Sequence, residues 1–243
     1  MKWVEQTRPA VFVLTSGSRS GTSRSRVQAS RDLALELGAT PGTMFGRHLD
    51  REVYGWILAS DAAPFLSLAD ELAECFVARG VGQVVTDAWQ LYNVVHDLWR
   101  LTVEVAASRA AARLGRSIEV LDYPVVPPSM VMPQPGPERL RLDLSQAEVA
   151  RKLALAHAFP EIGNDVTELL AHGGEALLAR ETLHDLRPLT ELIPRAGQAP
   201  LYEQYGEARV ASGLYGSVLR WRHVEPIART LAAAVTTLAP VMA

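Results

Sequence analysis

Residues 84–106 read VVTDAWQLYNVVHDLWRLTVEVA, and the way this stretch divides decides the fold. Its opening is apolar and β-branched, the pattern of a buried strand. From His96 onward the sequence reads as a long helix, closed by Gly115 after Leu114. A strand leading through a short loop into a helix is the repeating unit of a parallel α/β sheet. Within this one unit Asp87, Tyr92, Asn93, His96, Asp97 and Arg100 fall inside fourteen residues. Ligands of open α/β sheets sit beyond the carboxyl ends of the strands, where Asp87 ends its strand and His96 opens the helix. A lone histidine is usually structural. Here it stands between Asp87 and Asp97, with Tyr92 and Asn93 in the same loop, so the crowding favours chemistry. Glu104, further along the helix, is expected on a solvated face.

Outward from this unit the same alternation continues. AVFVLTSG (Ala10 to Gly17) reads as a buried parallel strand, and Arg26 to Leu37 as a helix stopped by Gly38. TMFG suggests a brief second strand. Phe65, Leu68, Leu72 and Phe76 are spaced for one face of a helix from about Pro64 to Arg79. SIEVLDYPVV is a further strand. After the Pro-rich connector VVPPSMVMPQPGPE the pattern changes. RLRLDLS reads as an edge strand, Ser145 as the cap of a helix QAEVARKLALAHAF, and residues 165–186 as further helices. The chain closes in a helix interrupted early by Pro226. The expected fold is α/β, with a doubly wound, mostly parallel, Rossmann-like sheet and an α-rich C-terminal extension. It is read as one domain, residues 1–128 forming the core and 129–243 completing the pocket.

Composition bounds the partners. The chain has 243 residues, 48% hydrophobic and 21% charged, which suits a globular protein with a substantial core. A net charge of −3 supplies no basic field for a phosphate backbone, so nucleic acid is excluded as a partner. The single cysteine, Cys75, excludes an intrachain disulfide or a multi-cysteine zinc site and reads as a small helix residue packed inside. No apolar run approaches the roughly 20 residues that span a bilayer, and MKWVEQTRPA has no apolar signal region, so a cytoplasmic protein with no membrane partner is expected.

Two more polar stretches stand out. TSGSRSGTSRSR offers Gly17, Gly21, Arg19, Arg24 and Arg26 to an anion, but it matches neither dinucleotide nor P-loop spacing and reads first as a solvated loop. PLYEQYGEARVASGLYGSVLRWRHVEP concentrates Tyr202, Glu203, Tyr205, Glu207, Arg209, Tyr215, Arg220, Arg222 and His223. Burying so many ionisable groups costs desolvation, so this segment lines either a pocket or an interface.

Together these stretches resemble the LmbE/PIG-L family of zinc-dependent N-acetylglucosamine-type deacetylases. VFVLTSGSRSG, Arg31 in SRDLALELGA, and MFGRHLD are similar to that family's second strand, arginine-bearing helix and third strand. VVTDAWQLYNVVHDLWR resembles the segment carrying its H-x-D-H motif. LDLSQAEVARKLALAHA resembles a later strand and helix, and the likeness runs from about Val11 to Leu231. The hallmark A-H-P-D-D is not in this sequence. At the H-x-D-H positions stand Asn93, Val95 and His96, so one of three zinc ligands remains.

Three readings follow from the resemblance. In the first, a deacetylase-like scaffold without a cofactor acts on a small polar metabolite. His96 is acid or base, oriented by Asp87 or Asp97, with Tyr92 or Tyr205 as a second proton donor. Arg31 and Arg220 hold an anionic group, and Asn93, Arg100, Tyr202, Glu207 and Tyr215 complete the substrate pocket. In the second, zinc is held by substitute ligands His48, Asp50 and His96, and the chain removes an acyl group from an amine. In the third, the chain is a binding or partner subunit whose Tyr/Arg-rich tail is an interface, a homo-oligomer among the options.

Overall fold

The computed structural model describes residues 1–17, 23–127, 129, 131, 133–159, 166–167, 170–171, 174–194 and 198–236. The chain forms two compact units. One comprises Met1–Val53 with Leu140–Thr182, the other Tyr54–Arg139 with Leu183–Ala243.

In the first unit, α1 (Lys2–Thr7) precedes β1 (Ala10–Thr15), α2 (Ser23–Glu36) and β2 (Thr40–His48). β1 and β2 pair in parallel from Ala10 opposite Thr40 to Thr15 opposite His48, a βαβ unit with α2 as its crossover. β2 runs nine residues where TMFG alone was expected, and its Met44 and Phe45 are buried. The unit also holds most of β5 (Glu138–Asp143), all of α6 (Gln146–Ala158) and the start of β6 (Arg180–Asp185). Ser145 caps α6 as the sequence suggested. Its hydroxyl accepts from Glu148 N, while the Glu148 carboxylate accepts from Ser145 N at 2.7 Å, a reciprocal capping box. Glu181 on β6 accepts from the Met1 amine at 2.8 Å, Trp3 N at 3.1 Å and Lys152 Nζ at 3.1 Å, which holds its carboxyl at about 2 against the opposing push of its own burial.

The second unit is built around the opening stretch. α3 (Asp50–Leu58) crosses the division between the units and was not anticipated. α4 (Ala63–Ala78), β3 (Gln83–Asp87), α5 (Val94–Leu114) and β4 (Glu119–Tyr123) follow. β3 and β4 are parallel and in register from Gln83 opposite Glu119 to Asp87 opposite Tyr123. β6 then runs antiparallel to β4, Leu121 facing Asp185 and Asp122 facing His184. The strand order is β3-β4-β6-β5. The fold is therefore mixed α/β, with a two-stranded parallel sheet and a four-stranded mixed one. Of the helices expected over residues 165–186, the described residues 166–167 and 170–171 are helical, whereas Glu175–Leu177 is one 3₁₀ turn and Arg180–Asp185 is strand β6. His184 and Asp185 gain ladder partners on β4, which local helical propensity does not offer.

α5 is apolar around most of its circumference, because it is covered on several sides. α4 brings Phe65, Leu68, Leu72 and Phe76 to it, and a C-terminal helix brings Val224, Ile227, Ala228 and Leu231, all buried. Each such side chain contributes about 1.5–3 kcal/mol. α5 ends at Gly115, whose φ of 65° is the left-handed conformation that glycine adopts without strain, as expected from sequence. Further helices are α7 (Leu189–Leu192), α8 (Leu201–Ala211) and α9 (Trp221–Thr236), the last running through Pro226. Among the described residues no helix is long and apolar enough to cross a membrane.

Candidate functional site: a His–Asp–Tyr cluster at the end of β3

Asp87 is the last residue of β3, and the ladder continues one step beyond it where Ala88 N donates to Tyr123 O at 2.8 Å. The chain then loops through residues 88–93 before α5. Asp97, in the first turn of α5, shapes that loop: its Oδ1 accepts from Gln90 N at 2.8 Å and Leu91 N at 3.3 Å, and Leu91 takes a left-handed φ of 52°. Gln90 ties the loop to the chain beyond β4. Its amide donates to Val126 O at 2.8 Å and accepts from Val125 N at 2.8 Å. Asn93 caps α5, its Oδ1 accepting from Val95 N at 3.0 Å.

This frame presents His96 to the strand end. His96 Nδ1 lies 2.8 Å from Asp87 Oδ2, with the imidazole 39% exposed and the carboxylate 14%. Tyr123, opposite Asp87 in register, donates its hydroxyl to the same carboxylate. Burial pushes the Asp87 carboxyl up, but the hydrogen bond and charge of His96, with the Tyr123 hydroxyl, outweigh it and leave it below the usual carboxylate range. An ionised Asp87 can only accept, so Nδ1 carries the proton, and a neutral His96 has its lone pair on Nε2. That is the tautomer a general base needs. Tyr123 moves the other way: the Asp87 charge, burial and the shared hydrogen bond all raise it well above the ordinary tyrosine value.

The neighbouring carboxylates are held differently. Asp97 is buried, and desolvation lifts it to about 7 despite its two backbone donors and the charges of His96 and Arg100. Its Oδ2 and the Tyr202 hydroxyl have no hydrogen-bond partner among the described residues. Tyr202 is itself pushed far up by burial and by the charges of Asp97 and Glu203. Arg100 is wholly buried, with Nη1 3.1 Å from Glu104, Nε 3.5 Å from Asp122 and Nη2 donating to Arg187 O at 2.8 Å. Glu104 is thus not on the solvated face expected for it. Burial raises its carboxyl against the pull of Arg100.

The Tyr/Arg-rich segment packs on the same loop. Tyr202 N donates to Leu91 O at 3.4 Å, and Tyr92 and Tyr205 meet edge to face at 5.7 Å. Trp89 and Trp221 do so at 6.3 Å. Tyr215 instead meets Tyr54 at 6.1 Å. Arg220 is engaged by Glu203 at 3.0 Å and Glu207 at 2.6 Å, and Glu203 also accepts from Trp221 N at 2.7 Å. In the other unit, Arg31 lies over the Phe45 ring at 4.9 Å, His48 Nδ1 is 3.7 Å from Glu52, and Asp50 opens α3. Of the basic loop near the N-terminus, Arg19 and Gly21 fall outside the described residues.

The structure therefore brings Asp87, His96, Asp97, Tyr92, Tyr202 and Tyr205 to one loop and places Arg31, His48 and Asp50 in the other unit. Tyr123 was missed from sequence. Its signal was available in the end-to-end alignment of VVTD with VLDY, which sets it beside Asp87 once the strands pair in parallel.

The zinc that the family resemblance implies can be tested against these donors. Val95 has no ligating atom, Asn93 spends its oxygen on the helix cap, and Asp97 Oδ1 is turned to backbone amides. No group of three His, Cys, Asp or Glu side chains able to hold a metal occurs among the described residues. A three-ligand catalytic zinc does not fit this donor set. Compared with protein-family models, with curated proteins and with solved structures, the chain matches none of them.

Proposed function

We propose that this chain is a small-molecule enzyme of the LmbE/PIG-L deacetylase-like kind, on a doubly wound, Rossmann-like scaffold, that works without a metal. The observation that carries the reading is the 2.8 Å contact between His96 Nδ1 and Asp87 at the carboxyl end of β3. His96 Nε2 takes a proton from a water or substrate hydroxyl and later returns it to the leaving group. Asp87 fixes the tautomer and balances the imidazolium, and Tyr123 fixes Asp87. Such a pair contributes on the order of 10²–10⁴-fold by proton transfer, enough for hydrolysis, elimination or rearrangement of an activated, polar metabolite. The α/β topology and the His96–Asp87 pair support this over an unactivated amide substrate. The same reading takes the protein to be cytoplasmic.

The test is turnover of a panel of p-nitrophenyl esters and N-acyl amines by wild type, His96→Ala and Asp87→Asn, each with and without chelator. Activity lost in both variants and indifferent to chelator supports the dyad. Activity undiminished in His96→Ala overturns it. Activity abolished by chelator and restored by zinc would return the chain to metal-dependent deacylation.

A further inference from the structure

Among the described residues, three of the four large apolar side chains most open to solvent lie between positions 205 and 215, at the end of α8. Tyr205 is 50% exposed, Leu214 62% and Tyr215 44%. Apolar side chains gathered in this way on a surface mark a contact site. They are held in place rather than adrift. Tyr205 meets Tyr92 edge to face at 5.7 Å, Tyr215 meets Tyr54 at 6.1 Å, and Leu214 N and Tyr215 N both donate to Arg209 O, at 2.9 and 3.2 Å. Arg209 stands among them with an exposed side chain, and its guanidinium has no hydrogen bond, ion pair or ring contact among the described residues. Arg220, by contrast, is taken up by Glu203 and Glu207.

Helix geometry says what fits this face. Tyr205 and Arg209 are four residues apart, so they lie about 6 Å apart along α8 and about 40° apart around it. Glu203 and Glu207 fall on the opposite side, where Arg220 holds them. The open face therefore carries a ring and a cation one turn apart, beside the small, exposed Ala208 and Ser212. Such a face is complementary to itself. In an antiparallel pair of α8 helices with a twofold axis level with residue 207, Arg209 of each copy comes opposite Tyr205 of the other. A guanidinium then meets the negative face of a ring twice, which gives Arg209 the partner it lacks. Ala208 and Ser212 let the helices approach, and Leu214 and Tyr215 lie alongside. A foreign partner would need a ring and a cation at the same spacing; a second copy brings both. We propose that the open face of α8, with the Leu214–Tyr215 turn, is where a second copy of this chain docks to form a twofold dimer. The dimer does not rest on the dyad reading, although Tyr205 backs onto the loop that carries the dyad.

Sedimentation equilibrium over a range of protein concentrations is the test. Wild type is expected to dimerise. Arg209→Glu and Tyr205→Arg should each raise the dimer dissociation constant about tenfold or more, because each spoils both symmetric contacts. Both side chains are exposed, so the far-ultraviolet circular dichroism of each variant should match wild type. An equimolar mixture of the two variants should recover the association. In the mixed dimer the introduced arginine faces the introduced glutamate, and one native Arg209–Tyr205 contact remains. Leu214→Asp, outside the pair, should also weaken the dimer. A wild type that stays monomeric overturns the proposal, and monomers that sediment with phosphatidylcholine–phosphatidylserine vesicles would make the face a membrane contact instead. A dimer that neither single variant weakens, or one that the mixture does not recover, overturns the α8 pairing.

Discussion

Asp97→Asn should stabilise this protein, and more so the higher the pH. Asp97 is wholly enclosed, its Oδ1 accepts from two backbone amides, and its Oδ2 has no hydrogen-bond partner among the described residues. Asparagine keeps the accepting oxygen and removes the charge. Desolvation lifts the Asp97 carboxyl from 3.8 to about 7 on folding. Between those values the folded protein binds the proton and the unfolded chain does not, so stability is lost as pH rises through that window. From pH 5 to pH 7 the loss runs at about 1.36 kcal/mol per unit, which gives about 3 kcal/mol. Above pH 7 both states are ionised and the loss levels off. Urea unfolding of wild type and Asp97→Asn at pH 5 and pH 8.5 measures this directly. The advantage of the variant should grow by about 3 kcal/mol between the two pH values. An advantage that is flat with pH, or a variant less stable at pH 8.5 than at pH 5 relative to wild type, would refute the burial argument for Asp97.

Arg100→Met leaves Glu104 and the buried Asp122 without their guanidinium and should cost about 3–5 kcal/mol at pH 8, less at pH 5 where Asp122, lifted to about 6, takes up a proton; chemical denaturation at the two pH values checks it. Leu231→Ala opens a cavity between α9 and α5 and should cost about 2–5 kcal/mol, read as a lower urea midpoint at unchanged slope. Tyr123→Phe removes one of the two side-chain donors that hold Asp87 down, so the Asp87 carboxyl should titrate at higher pH than in wild type. Carboxyl ¹³C NMR reads this shift, and an unmoved Asp87 would remove Tyr123 from the cluster.

What the sequence made legible was what is local. The Ser145 cap, the Gly115 stop and the β3–loop–α5 unit each depend on residues within a few positions, and each is found as expected. α1 and α3 are short and without an apolar stripe long enough to register. β6 was hidden because its pairing with β4 reaches across dozens of residues, and an alternating stretch such as RETLHD does not announce a distant partner. The site divides along the same line. Asp87 and His96 were legible as neighbours, but which aspartate orients the imidazole was not. Helix geometry settles it: Asp97 is the next residue on α5, turned roughly 100° away from His96. It therefore addresses the loop amides of Gln90 and Leu91, and the strand-end carboxylate is left to the histidine.

His96, Arg100 and Glu104 stand four residues apart on one face of α5, and the carboxylates they meet do not ionise alike. Burial acts on all of them in the same direction. Asp97, Glu104 and Asp122 yield to it, because backbone amides or one shared guanidinium oppose it too weakly. Asp87 does not, because a histidine and a tyrosine both donate to it. Near neutral pH the most firmly charged carboxylate of the cluster is thus the one in contact with the half-exposed imidazole, while Asp97 and Asp122 sit close to taking up a proton. Separating carboxyls in this way is how a single site keeps a base charged beside groups that can exchange protons. Tyr123, donating to Asp87 together with His96, is part of what keeps that carboxylate the charged one of the cluster.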